Sequence, residues 1–295
     1  GNKSFCNLSE VDLFKFKDDS GGLDRALFLA GRANYRQTLV NLDDGILQRT
    51  WHENNEYLRL CGVGLTGIAT REDLNSYDYK RFKNLAIHGA YSMADELGTQ
   101  RPKNVTTIKP SGTLSKIMDT TEGCHKPMGK YIFNNVNFSI NDPMLPKLRE
   151  AGYHVVLNPT DEHNAIVTFP VAWENIRFDK EGDLYVNKES AIEQLTRYKL
   201  LMDSYVEQNC SITVSYKEDE VPAIRDWLKS NWSSYVGVSF LPITNTTYEY
   251  LPQEVVTEAR YKEYVAQLTD VDFSDTDSTH EIENDECESG VCPVK

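Results

Sequence analysis

An α/β fold follows from three features of this 295-residue chain. Strand-like and helix-like segments alternate along most of it, glycine-containing breaks separate them, and the 40% hydrophobic and 26% charged composition is that of an ordinary globular protein. Residues 5–14 alternate apolar and polar side chains and predict a first strand. A helix is expected over 23–47, after the Gly21-Gly22 break. Residues 57–68 contain Cys61-Gly62-Val63-Gly64-Leu65-Thr66-Gly67, a tight strand or loop where backbone approaches closely. Residues 79–97 read as a strong helix with Gly98 as its stop, and 105–108 as a short strand. Further strands are expected over 131–140, 165–169, 211–216 and 236–241, and helices over 143–151, 190–206, 221–229 and 252–268. The alternation favours a mostly parallel sheet or barrel over residues 1–268. Near Thr269 the packed pattern gives way to an acidic tail, 269–295.

The formal net charge of −14 argues against a nucleic-acid or anionic-membrane partner. No apolar run approaches the roughly 20 residues of a transmembrane helix. Six cysteines at scattered spacings do not form a secreted disulfide framework, so reduced thiols and a cytoplasmic location are expected. The chain opens Gly1-Asn2-Lys3-Ser4 without an initiator Met and reads like a piece whose upstream part is missing.

Chemistry concentrates in a few segments. From Asp270 to Glu288 there are nine carboxylates and few large apolar residues, which predicts a solvated arm. That arm ends in Cys287-Glu288-Ser289-Gly290-Val291-Cys292-Pro293. Two thiols on such an arm can close a short disulfide loop and exchange it with another, the design of a redox shuttle. A half metal site or two idle surface thiols are the plainer readings, and no second Cys/His cluster has zinc spacing, so no metal is expected. Lys109-Pro110-Ser111-Gly112-Thr113-Leu114-Ser115 follows a strand and gathers three hydroxyls around one glycine. Backbone N–H groups and hydroxyls there can take phosphate oxygens, although such a turn is often only a turn, and it lacks the Walker ending. Cys6 lies on the first strand, where a cysteine is usually a small core residue. Cys61 and Cys210 read as packing residues. Cys124 and His125 are adjacent, and neighbours rarely point the same way, so they are not expected to act as a catalytic pair.

Taken in order, Phe5-Cys6-Asn7-Leu8-Ser9-Glu10-Val11, the Cys61–Gly67 glycine element, Pro110-Ser111-Gly112-Thr113-Leu114-Ser115, Thr213-Val214-Ser215-Tyr216 with Gly237-Val238-Ser239-Phe240-Leu241-Pro242, and the Cys287/Cys292 tail resemble the ribonucleotide reductases. The resemblance is strongest to the adenosylcobalamin-dependent class II enzymes of the monomeric type. It implies the C-terminal part of a ten-stranded α/β barrel whose finger loop carries a thiyl-radical cysteine. It further implies adenosylcobalamin as cofactor, a ribonucleotide substrate and a thioredoxin-like reductant. On the same basis Cys6 is one thiol of the reducing pair, Pro110 to Ser115 hold the substrate phosphates, and Cys287 and Cys292 shuttle electrons.

One departure limits the carry-over. The family's radical cysteine lies in an Asn-x-Cys-x-Glu segment, whereas Cys6 is followed by Asn7 and Glu10. Cys6 is therefore assigned to the reducing pair, and the radical segment is expected before Gly1, on an N-terminal part that is covalently joined or a companion chain. A class I large subunit is the nearest alternative, but Phe240-Leu241 stand where paired tyrosines would be expected. A non-catalytic nucleotide-binding module derived from the barrel, or a free-standing thiol oxidoreductase, would be different kinds of protein. The tail dithiol speaks against the first, and the lack of a Cys-x-x-Cys helix start against the second.

Overall fold

The structure, a computed structural model, describes residues 3–43, 45–243 and 250–272. In chain order the first elements are β1 (Asn7–Asp12), α1 (Ser20–Gln37), α2 (Arg49–Leu58), β2 (Cys61–Thr66), α3 (Ser76–Glu96) and α4 (Gly112–Ile117). Then come β3 (Tyr131–Ser139), α5 (Met144–Glu150), β4 (Val155–Asn158), β5 (Asp161–Ala172), β6 (Asp179–Glu181) and β7 (Leu184–Val186). The last are α6 (Ala191–Ser204), β8 (Thr213–Tyr216), α7 (Val221–Ser230), β9 (Ser239–Pro242), β10 (Gln253–Val255) and α8 (Glu258–Ala266). These elements form two compact units: β1 to α4 with α6, β8, α7 and β9 make the first, and β3 to β7 with β10 and α8 make the second.

The first unit is the parallel α/β part that the alternation predicts. β1 pairs with β2 in parallel, with Asn7 opposite Cys61 and Asp12 opposite Thr66. Parallel bridges then link Val63 to Thr106 and Ile108 to Cys210, and β8 lies parallel to β9. Five extended segments therefore follow one another in one direction: β1, β2, 105–108, 210–216 and β9. Val11, Leu13, Leu65, Ile108, Cys210 and Val214 pack in one core with Leu23 and Leu27 of α1 and Leu195, Tyr198 and Leu201 of α6. Apolar side chains fill that core from alternate positions, as Val214 does between Thr213 and Ser215, so these strands do not read as the continuous apolar runs of a fully covered parallel sheet.

The helix starts are set by side-chain caps. Asn75 and Asp78 form a reciprocal capping box at α3, and Ser190 and Glu193 do the same at α6. The helix expected over 23–47 ends at Gln37 instead. The reason is Thr38, whose buried carbonyl accepts from Asn55 Nδ2 at 2.8 Å and from the Arg59 guanidinium rather than from a following helical N–H. The chain then turns away and begins α2.

The second unit departs from the mostly parallel expectation. Its sheet has the order β10-β3-β5-β4, and every pairing in it is antiparallel. β4 and β5 are joined through Asn158-Pro159-Thr160-Asp161, a turn in which Asn158 Oδ1 accepts from the Thr160 amide at 2.9 Å. Proline ends the first strand and sends the chain back, so no crossover helix intervenes. The helix expected over 252–268 is likewise divided into strand β10 and helix α8, with Thr257 capping the latter. Most of the predicted acidic tail, including Cys287 and Cys292, lies outside the described residues.

α1 and α3 cross at two glycines. A Cβ on Gly89 would fall inside the contact radius of the Phe28 carbonyl oxygen, and one on Gly31 inside that of Ala86. Gly89→Ala should therefore cost about 1–3 kcal/mol through overpacking, more than the up to about 1 kcal/mol that alanine gains in helix propensity. Thermal unfolding should fall by roughly 2–8 °C. Gly21→Ala, whose nearest new contact is Asp19 Oδ1 at 3.8 Å, should lower it not at all. An unchanged melting temperature for Gly89→Ala would contradict this close crossing.

Candidate functional site

The site is built on the face of β1 and β2 away from α1. Alternation along β1 sends Asn7, Ser9 and Val11 to one side and Cys6, Leu8 and Glu10 to the other. On the α1 side, Asn34 clamps the two strands: its Nδ2 donates to Asn7 O at 3.0 Å and to Ser9 Oγ at 3.1 Å, and its Oδ1 accepts from the Gly62 amide at 2.9 Å. β2 alternates in step. Cys61, Val63 and Leu65 are fully buried on the helix side, while Gly62 and Gly64 lie on the site side beneath side chains of the neighbouring segments.

Those two glycines make room for the chemistry-bearing side chains. A Cβ on Gly62 would stand 2.5 Å from Leu8 Cδ2, 2.8 Å from Cys6 Sγ and 2.9 Å from Asn7 O. A Cβ on Gly64 would stand 3.3 Å from Glu10 Cγ and 3.4 Å from Lys109 Cγ. Cys6 thus lies over the β2 backbone, half-buried, as a free thiol. Gln208 Nε2 donates to its sulfur at 3.6 Å and also to Cys61 O. Burial pushes the Cys6 thiol above the ordinary cysteine range, and the Gln208 hydrogen bond offsets part of that. At neutral pH the group is a protonated S–H.

Four residues along β1, about 13 Å away, Glu10 meets the loop after the third extended segment. Its side chain is excluded from solvent, with Lys109 Nζ 3.8 Å from Oε2. The Ser111 hydroxyl donates to its Oε1. Desolvation raises the Glu10 carboxyl above its usual range, against the lowering effects of Ser111 and Lys109. Ser111 caps α4 with φ +67°, a left-handed conformation that costs an L-residue about 1–2 kcal/mol. The hydrogen bond to Glu10 helps to hold it there.

The loop residues take different positions. Pro110 is exposed, Ser111 buried, Gly112 opens α4 with φ +32°, and Thr113 and Leu114 continue the first turn. Ser115 is buried and its hydroxyl donates to Gly112 O at 2.7 Å, so it closes the turn from within. Cys6 and Ser111 are therefore brought to one sheet face, while Cys287 and Cys292 lie outside the described residues. Gln208 and Asn34 were not singled out in the sequence. The polar Gln208-Asn209 pair just before an apolar strand was the available signal for the first, and a lone Asn on a helix gives none for the second.

The other cysteines sit in the core. Cys124 Sγ donates to Ser211 O at 3.5 Å, while His125 Nε2 accepts from the Thr213 amide at 3.0 Å. The two side chains face different partners, as expected for neighbours. Among the described residues there is no cluster of His, Cys, Asp and Glu that could hold a metal ion, and no helix long and apolar enough to cross a membrane.

No family model matches the chain. Individual relatives do. The adenosylcobalamin-dependent ribonucleoside-triphosphate reductase of Lactobacillus acidophilus is 26% identical over 331 aligned residues, covering 98% of this chain and 43% of that protein. The probable adenosylcobalamin-dependent ribonucleoside-triphosphate reductase of Dictyostelium discoideum is 30% identical over 261 residues, 83% of this chain and 33% of its own length. The crystal structure of a B12-dependent, class II ribonucleotide reductase superposes with a TM-score of 0.79 at 21% identity, over 92% of this chain and 41% of that one. The chain spans less than half the length of these relatives. Over nearly all of its length, this chain is a relative of part of the adenosylcobalamin-dependent ribonucleoside-triphosphate reductases, and its fold is that of part of a class II ribonucleotide reductase.

Proposed function

We propose that this chain is the part of an adenosylcobalamin-dependent ribonucleotide reductase that supplies a reducing thiol, the substrate phosphate loop and the tail dithiol. The observation that carries the reading is the placement of Cys6 and Ser111 on one face, where Gly62 and Gly64 leave room for the side chains of Cys6, Glu10 and Lys109. The separation along β1 is on the scale of one nucleotide. Its ribose would lie beside Cys6, and its phosphates at the loop of Pro110, Ser111, Gly112, Thr113, Leu114 and Ser115.

The residues then divide the work. Cys6, held protonated by burial, is one of two thiols that together give two hydrogens. The ribonucleotide loses its 2′ oxygen as water, and the two thiols become a disulfide. The second thiol, the radical cysteine and its Asn-x-Cys-x-Glu segment belong to the upstream part expected from the resemblance. Cys287 or Cys292 attacks that disulfide as thiolate, and the resulting tail disulfide is reduced by a thioredoxin-like protein. A ten-stranded barrel completed by the upstream part would close over the β1–β2 face. The cytoplasm, with its reduced thiols, is the compartment that suits this cycle.

The second unit has a groove of about 790 Å³ that includes Phe133, Tyr153, Tyr250 and Tyr264 together with Asn135, Arg149 and Gln267. The aromatic side chains with Arg149 and Gln267 would meet part of a broad corrin ring fringed with amides, while Glu254, paired with Arg260, and Glu263 also line the groove and would have to lie away from its phosphodiester. When bound, adenosylcobalamin supplies the radical chemistry that starts the reaction. Tyr264, fixed by donating to Thr168 O at 2.8 Å and accepting from the His154 amide at 2.8 Å, gives the groove a rigid wall.

Two expectations test the assignment in the complete natural protein. Cys287→Ser together with Cys292→Ser should abolish repeated turnover with thioredoxin while sparing a single turnover from pre-reduced enzyme. Unchanged thioredoxin-dependent turnover would remove the shuttle role. Ser111→Ala with Thr113→Ala should weaken substrate binding by about 1–3 kcal/mol, through loss of hydrogen bonds to charged phosphate. A change confined to cobalamin affinity would remove the phosphate-loop role.

A further inference from the structure

Glu10 is an unusual neighbour for an anion site. It stands on β1 and Lys109 two extended segments away, with β2 between them. They meet because Gly64 has no side chain: a Cβ there would press on Glu10 Cγ at 3.3 Å and Lys109 Cγ at 3.4 Å. The Glu10 side chain is excluded from solvent, and its Oε2 has no hydrogen-bond partner among the described residues, Lys109 Nζ being 3.8 Å away. Its other oxygen holds the Ser111 hydroxyl. The charged groups facing it are Lys109 from the loop side and Asp12 on its own strand.

A hydroxyl has one proton to donate. If Ser111 gives it to Glu10, it cannot also give it to a phosphate oxygen. A charged carboxylate beside that phosphate would moreover repel it in a poorly solvated place. We propose that Glu10 is a positioning residue that couples anion binding at the Pro110–Ser115 loop to uptake of one proton. Without ligand, Glu10 holds Ser111 in its left-handed conformation. When the phosphates enter, the Ser111 hydroxyl turns to them and the Glu10 carboxyl takes a proton from solvent, leaving Lys109 free to face the anion. Burial already biases the carboxyl in that direction. The inference rests on the phosphate-loop reading above and adds its regulation by pH.

The sign follows. Protons favour the bound state, so anion affinity falls as pH rises through the carboxyl's titration. Inorganic tripolyphosphate is the probe, titrated calorimetrically into the complete natural protein and its Glu10→Gln variant from pH 4.5, near the ordinary glutamate range, up to pH 8.5. The ratio of the two dissociation constants cancels the ionisation of the probe itself. Wild-type affinity should fall relative to Glu10→Gln by about fivefold or more across that range, since one linked proton changes affinity by up to tenfold per pH unit. Titrations in buffers of different ionisation enthalpy should show proton uptake in the wild type beyond that of Glu10→Gln. A constant ratio with equal proton uptake overturns the proposal. Ser111→Ala separates it from the underlying reading. If that variant binds tripolyphosphate as tightly as the wild type, the loop is not the anion site and the Glu10 role falls with it. If it binds more weakly while the wild-type and Glu10→Gln profiles run parallel, the loop stands and Glu10 alone is refuted. Should Glu10→Gln fail to fold, Gly64→Ala forces Glu10 and Lys109 apart and should change the same pH profile; an unaltered profile would count against the coupling.

Discussion

Strand β2 has to satisfy two surfaces at once, and the rest of the first unit depends on how it does so. Toward the helices it must fill a core, and Cys61, Val63 and Leu65 do that at complete burial. On its other face it must leave room for the side chains of β1 and of Lys109, and Gly62 and Gly64 do that. Glycines in a strand are destabilising, through chain entropy and the absence of side-chain packing. The neighbouring strands offset that cost. Asn34 ties β1 to Gly62 from the helix side, and the buried Tyr205 hydroxyl donates to Val63 O at 3.0 Å. The glycine strip is stiff because its other face is tightly held.

The two ends of that strip are chemically different, and burial is the reason. At the Cys6 end, desolvation favours the neutral thiol. A thiol that must give up hydrogen gains from being kept as S–H, whereas one that must attack a disulfide has to be a thiolate. The two tasks suit different environments, which explains why a reducing thiol on the strand would be served by a second pair on a solvated segment. At the Glu10 end, desolvation acts on a carboxyl instead, and the compensating charge on Lys109 is shared across Gly64.

Much of the first unit was legible in the sequence because its strands obey local rules. The apolar alternation of β1, the Gly-x-Gly spacing of β2 and the Ser190/Glu193 capping box are each contained within a few residues. The second unit was less so. Asn158-Pro159 between two short apolar runs was a hairpin signal, but a period-two reading does not by itself distinguish antiparallel from parallel strands. The end of α1 was not legible at all, since Thr38 is taken by Asn55 and Arg59 from 17 and 21 residues further along. The same holds for the site. The thiol and the loop could be named from their segments, but the contact of Glu10 with Lys109 and Ser111 exists only once three strand segments lie side by side. Gln208 reaches Cys6 across 202 residues of chain, and no local pattern encodes that.

The charge of the chain gives the last constraint. A protein of net charge −14 does not attract a polyanionic nucleotide from a distance. On the proposed function recognition would therefore be local, and the loop around Ser111 would suit it because hydroxyls and backbone N–H groups are neutral donors that bring no long-range field. Lys109 is the cation nearest at hand, and in the ligand-free arrangement it is held against Glu10. On the coupling proposed above, discharging Glu10 would release a positive charge beside the loop only when an anion stands there. An acidic protein can in this way hold an anion without carrying a basic surface, and the charge it needs appears inside the site by movement of a single proton.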